Sequence, residues 1–431
     1  MSRRHYSALI LGTAALCAPL LGACSSSSST AGGSSAVSAA PVTLTFWGTY
    51  GNGGNKTQTD ALNNTIIPAF EKANPGIKIE YVDIPYDSML QKLTTGAAGG
   101  TLPDLVRADL GWVPKLGALG VFAPLDQKMS DYQTLAGADY PGTVATNLFG
   151  GHYYGLPLDT NTRVLISNPD ALKAAGIAAP PATFDDLRAD APKLKAEKVS
   201  VFADSGLQGW NVYPWIWSAG GSVTNSDQTK ATGYLNSAAS VQGVQLLVDL
   251  YKAGAIPNLL TGDKGATQTS DGLPKGQYAD ILDGPWMTGI WSGQYPSFKP
   301  VYSPVPAGPG GSVSVTGGED VVMTSASAHQ DAAEKFIRFT QSSTYQLAMA
   351  ATGQMSVVSA LGDQEAAAAP GLAPFIKQLA TAKPRPSVPQ APQIDTVLAD
   401  DLTPAFTGGT TVQAALDKAA ADIDPLLTAT R

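Results

Sequence analysis

Between residues 41 and 108 the chain alternates two hydrophobic periods, and this alternation restricts the fold more than any other feature. Val42-Thr43-Leu44-Thr45-Phe46-Trp47 is rich in β-formers and runs into Gly48-Thr49-Tyr50-Gly51, a strand followed by a loop. Leu62, Ile66 and Phe70 then recur every four residues, the spacing of one helical face, until Asn74-Pro75-Gly76 ends the run. Ile77-Lys78-Ile79-Glu80-Tyr81-Val82 alternates again, as a second strand does. A helix over 88–95 and a strand over 105–108 complete a β-α-β-α-β order, which predicts a parallel sheet covered by helices. The pattern continues with strands over 163–167, 199–202 and 278–283, and with helices over 237–252, 329–341 and 412–423. Thr183-Phe184-Asp185-Asp186 is a helix start, a relative of the capping box with Asp in place of Glu. No internal repeat is present.

The first 40 residues read differently. Arg3 and Arg4 precede an uncharged, mostly apolar run from Ala8 to Leu21, too short for a span of ~20 residues. A positive segment, an apolar run and a small-residue site form a secretory signal. Leu21-Gly22-Ala23-Cys24 resembles the lipobox of bacterial lipoproteins, which implies cleavage before Cys24 and a lipid on its sulfur. Ser2-Arg3-Arg4-His5-Tyr6 partly resembles a twin-arginine signal, so the export route stays open between that and Sec. Residues 25–40, SSSSSTAGGSSAVSAA, carry no charge and no aromatic ring, and read as a flexible tether. The expected location is the outer face of the cell membrane.

Removing residues 1–23 leaves 408 of the 431, enough for two or three domains with their own cores. The net charge of −8 becomes −10 once Arg3 and Arg4 are gone, which disfavours nucleic acid as a partner. Of the two cysteines, Cys17 lies in the signal, so the mature chain has no internal disulfide and no cysteine nucleophile. His152 and His329 are isolated, so no metal site is expected. No phosphate loop, nucleophile elbow or zinc-protease motif occurs, and no cofactor and no catalytic residue is assigned. Carboxylates such as Asp109, Asp159, Asp283, Glu319 and Asp320 leave a hydrolase built on two of them open as an alternative.

Tryptophan is the positive signal. All seven lie beyond residue 40, mostly beside Gly, Pro or Asn at element ends, as in Gly209-Trp210-Asn211 and Gly284-Pro285-Trp286. Indole faces are flat and apolar, as are the C–H faces of pyranose rings; the other reading is a core anchor. Of Trp215 and Trp217, two apart on a predicted helix, one is expected in the core. Asp109 leaves the C-terminal end of a predicted strand, where open α/β sheets gather ligands; its other reading is a helix N-cap. Asp159 and Asn161 lie in Leu156-Pro157-Leu158-Asp159-Thr160-Asn161, a candidate crossing or an Asx-turn. Glu319, in Gly317-Gly318-Glu319-Asp320, lies in a comparable candidate crossing; its other reading is a plain surface position.

Seven segments in order resemble the family 1 extracellular solute-binding proteins of ABC importers, the maltose-binding-like group. They are Thr45-Phe46-Trp47-Gly48, Phe70-Glu71-Lys72-Ala73-Asn74-Pro75-Gly76-Ile77-Lys78-Ile79, Gly99-Gly100-Thr101-Leu102-Pro103-Asp104-Leu105-Val106, Tyr154-Gly155-Leu156-Pro157-Leu158-Asp159-Thr160-Asn161, Trp217-Ser218-Ala219-Gly220-Gly221, Gly284-Pro285-Trp286 and Val315-Thr316-Gly317-Gly318-Glu319-Asp320. The resemblance implies a two-lobed, type II periplasmic-binding-protein-like α/β fold, each lobe a mostly parallel sheet flanked by helices. It places one lobe in residues 41–157 and 319–355 and the other in 158–318 and 356–431, with crossings at 156–161, 315–319 and 354–358. It implies a monomer that captures a neutral sugar between the lobes and delivers it to ABC transporter permease subunits, or the same scaffold with a non-sugar solute such as a sugar phosphate. Ligand contacts carry over to Trp47, Tyr50, Asp109, Asp159, Asn161, Trp210, Trp286, Glu319 and Arg385. At the third crossing Ser356 stands where the family usually has proline.

Overall fold

The computed structural model describes residues 41–51, 55–263 and 265–428. The signal segment, Cys24 and the tether lie outside the described residues.

Ten strands carry the architecture: β1 (Val42–Gly48), β2 (Ile77–Asp83), β3 (Leu105–Asp109), β4 (Leu156–Thr162), β5 (Val164–Ser167), β6 (Ser200–Ala203), β7 (Tyr278–Asp283), β8 (Val301–Ser303), β9 (Val315–Met323) and β10 (Lys383–Pro384). Six form one sheet in the order β10-β9-β3-β1-β2, with β4 also on β9. Four form a second, in the order β8-β5-β7-β6. In the first sheet β1 runs parallel to β2 and β3, as the β-α-β-α-β order predicts. β9 runs antiparallel to β3 and β4. In the second sheet only β7 and β6 are parallel; β5 is antiparallel to both neighbours. Both sheets are therefore mixed, because β5 pairs antiparallel with β7 and β8, and β9 pairs antiparallel with β3 and β4.

Local chemistry explains the elements. Leu44 and Phe46 alternate into the first core from β1. The helix that follows runs from Lys56 to Ala73 through a π turn at Leu62–Ile66, and buries Leu62, Ile66 and Phe70. Phe70 meets Phe336 edge-on at 5.1 Å. Asn74 caps the end by donating to the Phe70 carbonyl (3.0 Å), and Gly76, at φ 98°, turns the chain into β2. In the second core, the helix Phe184–Ala196 starts with a complete capping box between Thr183 and Asp186. Trp215 and Trp217, on the helix Gly209–Ser218, are both buried, at 0% and 5% exposure. Phe184 and Phe202 pack against Trp215, and Tyr213 against Trp217, within the second core, so neither indole reaches a surface.

The two sheets communicate through neighbouring segments. Only Arg163 separates β4 from β5, so the chain leaves one sheet and enters the other within a residue. β9 serves both cores: Val315 packs in the second, Val321 and Met323 in the first. Thr160 and Met355 exchange backbone hydrogen bonds at 2.9 and 3.2 Å, so the chain near 160, 317 and 355 lies side by side.

Ser356 has a structural reason to differ from proline. Its N–H donates to the buried Glu365 carboxylate at 2.8 Å. Burial pushes that carboxyl up to about 7, and the Ser356 N–H opposes the push. Ser356→Pro removes the donor and leaves a buried acceptor without it, which costs ~1–3 kcal/mol. Urea unfolding at pH 8 checks this; an unchanged midpoint contradicts it.

Candidate functional site

Elements of both sheets wall one large cavity of about 780 Å³. The first sheet contributes Arg107 and Asp109 at the end of β3, Asn161 in β4 and Gly317-Gly318-Glu319 in β9. The second sheet and the helices beside it contribute Trp210, in the first turn of its helix, Asp283 at the end of β7 and Trp286. Arg385 enters from the loop after β10. The cavity thus lies where strands end and cross, the usual ligand position in open α/β sheets.

Aromatic surface faces charge in this cavity. The Trp210 and Trp286 rings lie 6.2 Å apart at 29°, a stacked pair. That spacing leaves no room for a guest between them, so together they offer one apolar face. Arg163 and Arg385 lie over the Trp210 ring at 5.6 and 5.7 Å, which fixes its plane. Gly317 makes room for the arrangement: a β-carbon there would meet Asn161 Oδ1 and come within 2.7 Å of the Trp210 ring.

Both arginines of the wall are already engaged. Arg107, 3% exposed, pairs with Asp159 at 3.2 Å and Glu319 at 2.7 Å, and donates to Thr49 at 2.6 Å. Gln354, with its amide oriented to suit its neighbours, donates to Asp159 at 3.2 Å and accepts from Gln58 at 2.9 Å. Arg385 donates to Asp109 at 2.9 Å. Asp109 also accepts from the Tyr86 hydroxyl at 2.8 Å and the Gly111 N–H at 2.7 Å. Burial, with Asp159 and Asp109 nearby, holds the Glu319 carboxyl well above its usual range, against the pull of Arg107. Burial pushes Asp283 up to about 6, opposed by Arg163 and the Gly284 N–H. Asn161 Oδ1 and Arg385 Nε remain buried at the wall without hydrogen-bond partners. This surface can stack a flat apolar face and hydrogen-bond hydroxyls beside it; among the described residues both of its arginines are already ion-paired to carboxylates.

The structure brings Asp109, Asn161, Trp210, Trp286, Glu319 and Arg385 to the cavity wall. It does not bring Trp47, Tyr50 or Asp159 there. Trp47 points to the face of β1 away from Phe46, packs on the core beneath the helix Tyr86–Gly99, and carries Lys92 over its ring at 4.9 Å. Tyr50 is fully buried, hydrogen-bonded to Tyr345, with the Arg107 guanidinium 4.5 Å above its ring. Asp159 sits behind Arg107 as its counter-ion. Asp159 and Asn161 lie in β4, paired with Glu319 and Gly317, rather than in an Asx-turn. Asp109 ends a strand, while the next helix, Val113–Ala118, is preceded by Trp112 at its N-cap. A bulge between Glu319 and Asp320 separates these carboxylates, and Asp320 accepts from Asn147 at 2.9 Å instead.

Arg107, Tyr86, Gln354 and Asp395 line the cavity without having been singled out from the sequence. Arg107 carried a usable signal: a lone arginine inside an apolar strand, two residues before Asp109 and hence on the same face. Tyr86, Gln354 and Asp395 carried none, since they reach the site only through tertiary folding.

This two-lobed α/β architecture is shared with the GacH receptor of Streptomyces glaucescens GLA.O, solved unliganded and in complex with acarbose (TM-score 0.80, 20% identity, 90% of this chain and 99% of that one). Residues 53–347 match the family of bacterial extracellular solute-binding proteins, and the chain belongs to that family. A binding protein of Brucella abortus is 29% identical over 279 residues, 63% of this chain. The galactooligosaccharide-binding protein of Bacillus subtilis is 25% identical over 229 residues, 51% of this chain. The matches span 66% and 51% of the length of these relatives.

Proposed function

We propose that the chain is a lipid-anchored substrate-binding protein that captures a neutral sugar in the cavity and delivers it to the permease of an ABC transporter. The observation that carries this reading is the stacked Trp210–Trp286 pair, set beside carboxylates and the Asn161 amide in one cavity between the sheets. The indoles take the C–H face of a pyranose, and Asp109, Asn161, Glu319 and Arg385 take its hydroxyls. Residues 41–157 with 319–355, and 158–318 with 356–431, act as lobes that turn about the adjacent segments near 160, 317 and 355. A sugar touching both lobes stabilises the closed arrangement, and closure is the signal to the permease. The chain works as a monomer, held by lipid at Cys24.

A thermal-shift screen over mono- and oligosaccharides tests the assignment. A ligand at about one hundred times its Kd adds ~2.7 kcal/mol to unfolding. Sugar phosphates belong in the same screen, because Arg107 and Arg385 are both ion-paired. Stabilisation by a phosphate, but not by its parent sugar, overturns the neutral-ligand reading. The anchor has its own check. Cys24→Ala should move the protein from the membrane to the soluble fraction with its fold and sugar affinity intact; continued membrane fractionation contradicts it.

A further inference from the structure

The cavity carries a second aromatic face, distinct from the Trp210–Trp286 pair. Tyr86 opens the helix Tyr86–Gly99, and its ring lies on Trp112 with centroids 4.9 Å apart at 39°. Both residues line the cavity, from the segments that follow β2 and β3. Trp112 is 8% exposed, whereas Tyr86 is only half-buried, so the tyrosine ring presents the surface and the indole supports it from behind. The Tyr86 hydroxyl is already committed, donating to Asp109 at 2.8 Å. What Tyr86 offers a guest is therefore its ring, and the complement of a bare aromatic ring is a flat apolar face.

An ion pair stands between the two aromatic faces. Arg385 lies over the Trp210 ring at 5.7 Å and donates through Nη2 to both oxygens of Asp109, at 2.9 and 3.2 Å, and the same carboxylate holds Tyr86. The faces are thus two platforms joined by a polar seam. Another wall is elongated too. Pro392, Thr396 and Asp400 stand one turn apart on the helix Ala391–Thr407 and all line the cavity, a run of ~12 Å.

We propose that the Tyr86 ring, supported by Trp112, is a second sugar-binding face, and that the ligand is an oligosaccharide of at least two rings. One ring lies on Trp210 and Trp286 and the next on Tyr86, with the linkage over the Asp109–Arg385 pair. Arg385 spends only Nη2 on Asp109 and keeps Nη1 for an oxygen at this seam. Asp87, exposed at the rim beside Tyr86, accepts from hydroxyls of the second ring. The inference rests on the sugar-capture reading above and sets the minimum length of its ligand.

Calorimetric titration of the full chain tests it with four series: glucose, maltose and maltotriose; glucose, cellobiose and cellotriose; xylose, xylobiose and xylotriose; galactose, β-1,4-galactobiose and β-1,4-galactotriose. In a series that binds, the disaccharide should bind at least about tenfold tighter than its monosaccharide, the effect of one added aromatic stack. Tyr86→Ala should bring that ratio below about threefold. Tyr86→Phe should preserve it, because the ring stays and only the bond to Asp109 is lost. A tyrosine that merely positioned Asp109 would lose as much in the phenylalanine variant as in the alanine one, and that result overturns the proposal. The ratio in the unaltered chain is read without any variant, which keeps the test open if Tyr86→Ala does not fold. A disaccharide no tighter than its monosaccharide, or a preference that survives Tyr86→Ala, overturns the second face and leaves sugar capture standing. No binding by any sugar in these series or in the thermal-shift screen overturns sugar capture, and this inference with it.

Discussion

Trp286→Ala is expected to weaken sugar binding roughly ten- to a hundredfold, the equivalent of ~1–3 kcal/mol for one lost aromatic stack. Trp286 is half-buried at the first turn of the helix Trp286–Gln294, with its ring against Trp210 and the cavity. Truncation removes half of the apolar platform but little of the core, so unliganded stability should change far less than the ~3–5 kcal/mol typical of a core tryptophan. Trp210→Ala should weaken binding as much and also lower stability somewhat, because its ring carries both Arg163 and Arg385. Titration beside urea unfolding separates the two effects. Normal binding with strongly reduced stability in both variants would make the indoles core residues.

The second large effect concerns Arg107. Arg107→Met keeps most of the side-chain volume but leaves Asp159 and Glu319 without their shared cation. Removing one partner of a buried ion pair costs ~3–5 kcal/mol. The loss depends on pH in a definite direction. In the variant the Glu319 carboxyl, already held well above its usual range by burial, loses the Arg107 cation that opposes the rise, so the folded state keeps a proton that the unfolded state releases. Stability then falls as pH rises from about 4 toward the folded pKa of Glu319, and the deficit should be larger at pH 8 than at pH 5. Unfolding midpoints at both values check this. A deficit that is absent, or larger at pH 5, contradicts the network as described.

Much of the fold was legible because it rests on local periodicity. β1, the helix through Phe70, β2 and β3 announce themselves by spacing, and Asn74-Pro75-Gly76 by turn chemistry. The directions of β5 and β9 were not legible, since nothing near Val164 or Val315 states which distant strand will accept its hydrogen bonds. The candidate site divides the same way. Trp210 and Trp286 stand at element ends, and element ends reach the cavity. Trp47 is also at a strand end, but its indole is partly covered by the helix Tyr86–Gly99 and packs there instead. Asp159 and Glu319 become neighbours only through the β4–β9 register, and that register turns Asp159 from a ligand candidate into the counter-ion of Arg107.

The most direct test of the central claim is a calorimetric titration of the purified chain with the sugars that stabilise it in the screen, followed by recovery and analysis of the sugar. The account predicts saturable binding of one sugar per chain, unaffected by EDTA, with the ligand recovered unchanged. No binding by any sugar, or steady cleavage of an oligosaccharide by the cavity carboxylates, would contradict it.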